Sequence, residues 1–220
     1  MKKYLLLITL TIVCLLQSCE DSDFVIDGGV ASPFLDMTTY DFLSSRPLFD
    51  TLVMSIDKVG LKDIVNGDVT LFATTNFSFK NYIALMTTRG RHLYNDPNYV
   101  YLYDSIPDQV LRDSLQMYIF PGKLNRGDLK KEGEVVKSKA GTDLKISLEP
   151  RDDYQDQLTI KPEYVFLTYK RGKQWDAWDA KDVPTAEVDT KERIQTSGLI
   201  STNGIIHVMP NTHNLFYTRN

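Results

Sequence analysis

The two tryptophans of the chain lie three residues apart in a segment rich in carboxylates. Trp175 and Trp178 are interleaved with Asp176 and Asp179, and Asp182 follows. On a helix, residues three apart share a face, which would place both indoles side by side. Exposed aromatic rings flanked by carboxylates can stack on sugar rings while the acids bind hydroxyl groups. We therefore predict a glycan-binding surface formed by Trp175, Asp176, Trp178 and Asp179. The alternative is that the indoles cover the edge of the core.

The sequence has no motif that builds a catalytic centre. It lacks a phosphate-binding glycine loop, a nucleophile elbow, paired metal-binding histidines and a cysteine pair. Carboxylates are plentiful, but glycoside hydrolysis requires two of them at a defined separation in space, which sequence alone does not reveal. We expect a noncatalytic protein without a cofactor; a surface hydrolase with dispersed carboxylates is the alternative.

The three histidines, His92, His207 and His213, have no spacing that would gather metal ligands. His207 falls in a predicted strand, where it could bind a metal or act as a base. A core histidine that hydrogen-bonds across the sheet explains the same position. The sequence favours this core role and predicts no metal site.

Arg126, Gly127 and Asp128 spell an integrin-recognition tripeptide. Gly127 also suits a turn and Asp128 begins the next element, so local geometry accounts for all three residues. The sequence favours this local role over integrin binding.

The chain is acidic, with a formal net charge of −4 at pH 7. Its basic groups, Lys130-Lys131 and the run from Lys170 to Lys173, are short and typical of solvated turns. Nucleic acid is therefore not an expected partner.

The first eighteen residues have the pattern of an export signal. Lys2 and Lys3 precede a mostly apolar stretch from Tyr4 to Leu16. A membrane-spanning helix needs roughly 20 apolar residues, so this shorter stretch is typical of a signal peptide. We predict that residues 1 to 18 are removed.

The segment Leu16-Gln17-Ser18-Cys19 resembles the lipobox of bacterial lipoproteins, although Gln17 departs from the small residue that is usual there. Ordinary cleavage after Ser18 is the alternative. Cys14 lies within the predicted signal, so processing would leave Cys19 as the only cysteine. The resemblance implies that acyl chains such as palmitate are added at Cys19, and more than one chain anchors a protein stably to a membrane.

Residues 19 to 35 are predicted to form a flexible tether. The run Glu20-Asp21-Ser22-Asp23 is followed by Gly28-Gly29, and periodic apolar residues are missing until about Phe34. The acidic start is similar to the signal by which some glycan-degrading Gram-negative bacteria send lipoproteins to the outer face of the outer membrane. A solvated linker explains the same residues. We predict a lipid anchor in the outer membrane that faces the cell exterior.

Residues 36 to 220 have the size and patterning of one domain. Apolar residues recur at helical spacing between Pro47 and Gly60, and further helices are predicted from about Ser78 to Met86 and from Asp108 to Tyr118. Strands are predicted at Val69–Ala73, Glu134–Lys137, Leu144–Leu148, Val165–Tyr169 and Ile205–Met209. Helices followed by strands indicate an α+β domain, with N-terminal helices packed on a mainly antiparallel β-sheet wedge or sandwich.

Three segments resemble the signature blocks of fasciclin domains. They are Thr70–Phe79 (TLFATTNFSF), Leu115–Leu124 (LQMYIFPGKL) and Ser201–Met209 (STNGIIHVM). The resemblance implies a single fasciclin-like domain with a binding or adhesion role, enlarged at about residues 88 to 107 and 149 to 195.

The chain departs from the fasciclin pattern after Tyr118. The family has a tyrosine-histidine pair to which part of its adhesive reputation is attached, and here Ile119 replaces the histidine. We therefore predict that Tyr118 packs at the end of its helix and does not contact a partner.

These observations favour a noncatalytic surface module that binds a glycan or another cell-envelope protein. A structural subunit of an envelope assembly is a further alternative, which an exposed strand edge or a large apolar patch would mark.

We expect Cys19→Ala to release the protein from membranes without unfolding the domain, because a polar tether separates the lipid site from the core. Fractionation after detergent-free lysis measures the distribution, and Cys14→Ala, within the predicted signal, should still pellet with membranes. Pelleting of the Cys19→Ala protein would show that anchoring by acylation at this residue is wrong.

Overall fold

The computed structural model describes residues 32 to 153 and 160 to 218. The predicted signal, Cys19 and most of the predicted tether lie outside these residues. Within the described ranges, the residues from Pro33 onward form one compact unit. Across the described ranges, no helix is both long enough and apolar enough to cross a membrane.

Helices dominate the first half of this unit. The α-helices in the described ranges are α1 (Thr39–Ser44), α2 (Asp50–Lys58), α3 (Lys62–Val65), α4 (Asn76–Tyr94) and α5 (Asp108–Gln116). Pro47 opens a short 3-10 turn before α2, where its missing N–H costs no helical hydrogen bond. Gly60 follows α2 with φ of 65°, the left-handed conformation that commonly ends a helix. The predicted helix between Pro47 and Gly60 is confirmed.

Helix α4 extends beyond its predicted end near Met86. Gly90 lies within the helix, and a Cβ atom there would come within 2.0 Å of the ring of Tyr99. The glycine lets the following loop pack directly on the helix. Asn95 follows the helix as its C-cap, with a φ of 50°, a left-handed conformation that asparagine tolerates.

The strands form two four-stranded sheets. In the first sheet the order is β2 (Ile119–Pro121), β1 (Val69–Ala73), β8 (Gly204–Val208) and β7 (Thr196–Ile200). In the second sheet the order is β3 (Glu134–Lys137), β4 (Asp143–Pro150), β5 (Glu163–Tyr169) and β6 (Thr190–Arg193). Neighbouring strands are antiparallel except for β1 and β8, which are parallel. The predicted α+β class with mainly antiparallel sheets is confirmed.

Helices and both sheets enclose one hydrophobic core. Its members include Leu52 and Ile56 of α2, Phe72 of β1, Ile146 of β4 and Ile206 of β8. Ile206 is fully buried, as its predicted place in the closing strand requires.

The turn before β8 is fastened to the start of the unit. Asn203 accepts a hydrogen bond from the Thr39 backbone N–H at 2.9 Å, and its side-chain NH₂ donates to the Asn66 carbonyl at 2.7 Å. Gly204 lies opposite Val69, and a Cβ atom there would stand 2.5 Å from the Val69 carbonyl oxygen. Only glycine permits this approach of the two strands.

We expect Gly204→Ala to destabilise the fold by about 1 to 3 kcal/mol, because the added methyl group meets rigid backbone. Gly127→Ala is the matched control, since a Cβ atom at Gly127 has nothing within 4 Å; its free energy of unfolding should change by about 0.5 kcal/mol or less. Urea denaturation measures both variants. Equal midpoints would contradict the close strand approach.

Candidate functional site

The face of the second sheet that points away from the core carries polar side chains that are nonetheless buried. On β4 they are Lys145, Ser147 and Glu149, which alternate with core residues as the strand pleat requires. Thr168 on β5 belongs to the same face, and both Thr168 and Glu149 are only 2% exposed. An outward sheet face of this kind must therefore be covered by another part of the chain.

The covering element is the loop from Lys170 to Asp189. Within it, the Asp176 N–H donates to the Asp189 carboxylate at 2.9 Å, and the Asp189 N–H donates back to the Asp176 carboxylate at 2.8 Å. The Arg171 N–H adds a third bond to Asp189 at 2.8 Å. Both carboxylates thus accept main-chain hydrogen bonds that shape the loop.

Two lysines of the sheet join it to the loop. The ammonium group of Lys145 donates to the Asp176 carbonyl oxygen. The ammonium group of Lys191 donates to the Trp178 carbonyl at 3.3 Å and forms an ion pair with Glu149 at 2.5 Å. Burial lowers the pKa of Lys145, because removal from water disfavours the charged form, although nearby carboxylates, Asp189 foremost, oppose this effect.

Between the loop and the sheet lies a cavity of about 340 Å³. Its size falls in the range of roughly 300 to 1,000 Å³ that is usual for small-molecule sites. The residues that matter most for its chemistry are Lys145, Arg151, Thr168, Trp178, Lys181 and Lys191. We call this space the loop–sheet cavity.

The predicted glycan-binding residues lie on this loop, but not on a helix. The segment around them is irregular, so the expected shared helical face of Trp175 and Trp178 is wrong. Trp178 and Asp176 line the loop–sheet cavity, whereas Trp175 and Asp176 line a neighbouring cavity of about 350 Å³. Asp179 is exposed and borders neither cavity.

Both indoles are half-buried and lie close to lysine ammonium groups. Lys131 is 5.0 Å from the centre of the Trp178 ring, and Lys145 is 5.3 Å from that of Trp175. These distances fit cation–π contacts. Lys145 and Thr168 could not be predicted as site residues, because polar residues that alternate with apolar ones in a strand normally indicate a solvent-facing side.

The Arg126–Asp128 tripeptide forms a 3-10 turn. The Arg126 guanidinium donates to the Glu163 carbonyl at 2.9 Å, and the Asp128 carboxylate accepts from the Asn125 side chain at 3.1 Å. The bond of Asp128 is local, as the sequence favours, whereas that of Arg126 reaches strand β5.

His207 is a buried core histidine. The Gly198 N–H donates to its Nδ1 at 3.3 Å, so Nε2 carries the hydrogen, 3.4 Å from the Leu124 carbonyl oxygen. Its ring stacks on Phe72 with centres 4.8 Å apart. Burial lowers the pKa of His207 to about 4.

Tyr118 is also buried, and its hydroxyl group is the centre of a polar network. It accepts from the Phe216 N–H at 2.8 Å and contacts His213 Nε2 at 2.7 Å, while His213 Nδ1 lies 3.0 Å from Glu192. The packing role predicted for Tyr118 agrees with this geometry. Its histidine partner, His213, is distant in the sequence, and no local sequence pattern predicts their contact.

No metal site is evident in the part of the chain that the structure describes. None of its His, Cys, Asp and Glu side chains form a group of three or more that could hold an ion.

The fold defines a class of protein: an α+β module with helices packed against two mainly antiparallel sheets. A model of the fasciclin domain matches residues 47 to 212, which is most of the chain. The protein belongs to the fasciclin domain family.

Comparison with solved structures found 18 matching chains. One is a FAS1 domain pair from the insect cell adhesion molecule fasciclin I, with 14% sequence identity and a TM-score of 0.44. The alignment covers 78% of this chain and 45% of that chain, so this protein spans less than half of the domain pair. No curated protein gives a significant match.

We expect His207 to make the stability of the domain depend on pH. The unfolded chain, with a histidine pKa of 6.5, takes up a proton before the folded protein does. Stability from the neutral ring is therefore complete above about pH 6.5 and is lost as the pH falls toward 4. The loss between pH 7.5 and 5 should be about 2 kcal/mol.

Urea unfolding at the two pH values measures this loss, and His207→Phe is the control because it keeps a ring on Phe72 without a proton site. Its stability should fall by less over the same range. Identical pH dependence in both proteins would refute the assignment to His207.

Proposed function

We propose that this protein is a noncatalytic, adhesion-type module of the cell surface that recognises a glycan or another cell-envelope protein. In this proposal a lipid on Cys19 holds the domain on the outer membrane, facing the exterior. Membership of the fasciclin domain family supports the adhesion-type role. The lipid anchor rests on the sequence resemblance at Leu16 to Cys19.

The observation that carries the proposal is the loop–sheet cavity. One wall is the half-buried indole of Trp178, and the others present ammonium, hydroxyl and carboxylate groups. Sugars are bound by this combination, because an aromatic ring packs on the apolar face of a sugar while polar groups bind its hydroxyls. A glycan therefore suits the cavity better than an extended protein surface does.

The carboxylates of the cavity support a binding role over a hydrolytic one. Asp176 and Asp189 each accept a hydrogen bond from the backbone N–H of the other. A general acid requires a carboxyl group that is free to exchange a proton with the substrate. These two groups are engaged in holding the loop.

A screen of glycans and cell-envelope proteins against the full chain in detergent tests the proposal. Binding to at least one glycan or envelope protein is expected. Hydrolysis of a bound glycan would contradict the noncatalytic assignment.

We expect the double substitution Trp175→Ala and Trp178→Ala to weaken glycan binding about tenfold or more, as truncation of a central aromatic contact does. Since both indoles are only half-buried, the stability loss should stay below the roughly 3 to 5 kcal/mol of a fully buried tryptophan, and the melting temperature should fall by only a few degrees.

Calorimetric titration and thermal melts measure the two effects. Phe77→Ala is the control, since it removes a partly exposed aromatic ring, 46% accessible, on α4; its glycan affinity should remain unchanged. Full glycan binding by the double variant, or a collapse of its stability, would assign the tryptophans to an extended core.

A further inference from the structure

The loop–sheet cavity contains a row of three side chains that cross the second sheet. In the strand register, Lys145 of β4 is paired with Thr168 of β5, which is paired in turn with Lys191 of β6. Directly paired residues on one face have Cβ atoms about 5 Å apart. Two lysine side chains therefore flank the Thr168 side chain, and their ammonium groups extend from the sheet toward the loop.

The hydroxyl group of this row is buried and unsatisfied. Thr168 is 2% exposed, and its Oγ1 has no hydrogen-bond partner among the described residues. A buried hydroxyl without a partner costs free energy, so a ligand atom that accepts a hydrogen bond from Thr168 would recover part of that cost.

Donor capacity remains on both lysines. Each ammonium group has three N–H donors. Lys145 uses one of them on the Asp176 carbonyl, and Lys191 uses one on the Trp178 carbonyl and also forms an ion pair with Glu149. One or more N–H groups of each lysine are thus free to donate to a ligand.

Positive charge predominates in the cavity. Four cationic side chains, Lys145, Arg151, Lys181 and Lys191, line it together with two carboxylates, Asp176 and Asp189. The carboxylates already accept backbone N–H bonds, and the described residues contain no ion pair of Lys145 with a carboxylate. An anion would give this buried ammonium group a direct ion pair, in addition to the nearby carboxylates that already favour its charged form.

We propose that the loop–sheet cavity binds the anionic group of an acidic sugar, a carboxylate or a sulfate, on the Lys145–Thr168–Lys191 row. The oxygens of the anion accept from both ammonium groups and from the Thr168 hydroxyl, while the sugar ring packs against Trp178. This inference rests on the proposed glycan recognition and specifies the class of glycan.

The test is calorimetric titration of the full chain in detergent with matched pairs of probes. One pair is a galacturonic acid tetramer and its uncharged methyl ester; the other is a sulfated galactose tetramer and its desulfated form. We expect at least one acidic probe to bind about tenfold or more tightly than its neutral partner. The probe pair that shows the difference identifies the carboxylate or the sulfate as the ligand group.

Three variants test whether the higher affinity for the acidic probe arises at the Lys145–Thr168–Lys191 row. Lys145→Met keeps most of the length of the side chain and removes its charge, and Thr168→Val keeps the shape and removes the hydroxyl. We expect Lys145→Met to weaken binding of the acidic probe about tenfold and Thr168→Val to weaken it several-fold. Lys123→Met, which removes a lysine next to the first sheet, should change the affinity less than about twofold.

Thermal melts show whether each variant is folded. Replacement of a buried ammonium group by an apolar side chain should leave the melting temperature unchanged or raised, so a loss of binding in Lys145→Met does not come from unfolding.

Equal affinity for acidic and neutral probes, or full affinity of folded Lys145→Met, would overturn the anion site and leave glycan recognition standing. Failure of every sugar probe would also overturn it. If no glycan of the wider panel binds either, the proposed glycan recognition is itself wrong.

Discussion

The parallel pairing of β1 with β8 is the constraint on which the rest of the structure depends. It joins Val69 to Gly204 across most of the domain, and closing so long a loop costs conformational entropy before any contact forms. This entropy cost is offset by the burial of every residue in both strands. Gly204 sets how closely the strands approach, and Asn203 fastens the turn to Thr39 and Asn66.

A second set of contacts between distant parts of the chain involves the segment after β8. His213 lies between the hydroxyl group of Tyr118, at the end of α5, and the carboxylate of Glu192 on β6. One histidine therefore links the helical layer, the C-terminal segment and the second sheet. Since Tyr118 and His213 are buried, their polar atoms need these partners, and a displaced C-terminal segment would leave them unsatisfied. The network selects one arrangement of segments that are distant in sequence.

Elements with local signals could be predicted from the sequence, and elements defined by distant partners could not. The strands Val69–Ala73 and Glu134–Lys137 have their predicted limits. The edge strands Thr190–Arg193 and Thr196–Ile200 are mostly polar or half-exposed, and only pairing with β5 and β8 makes them strands. The same distinction holds for the residues of the site. Tryptophans among aspartates stand out in the sequence, whereas Lys145, which contacts their loop from the sheet, looks like an ordinary solvent-facing residue.

The two faces of the second sheet have separate tasks. Leu144, Ile146 and Leu167 fix the sheet to the core, so the opposite face is free to carry groups that reduce stability. Lys145 and Thr168 are such groups, because a desolvated ammonium and an unsatisfied hydroxyl both cost free energy that apolar side chains would not. The fold tolerates them, since its closure depends on β1 and β8 in the other sheet. Changes in the Lys170 to Asp189 loop and in the row beneath it can therefore alter what the cavity binds while the core stays the same.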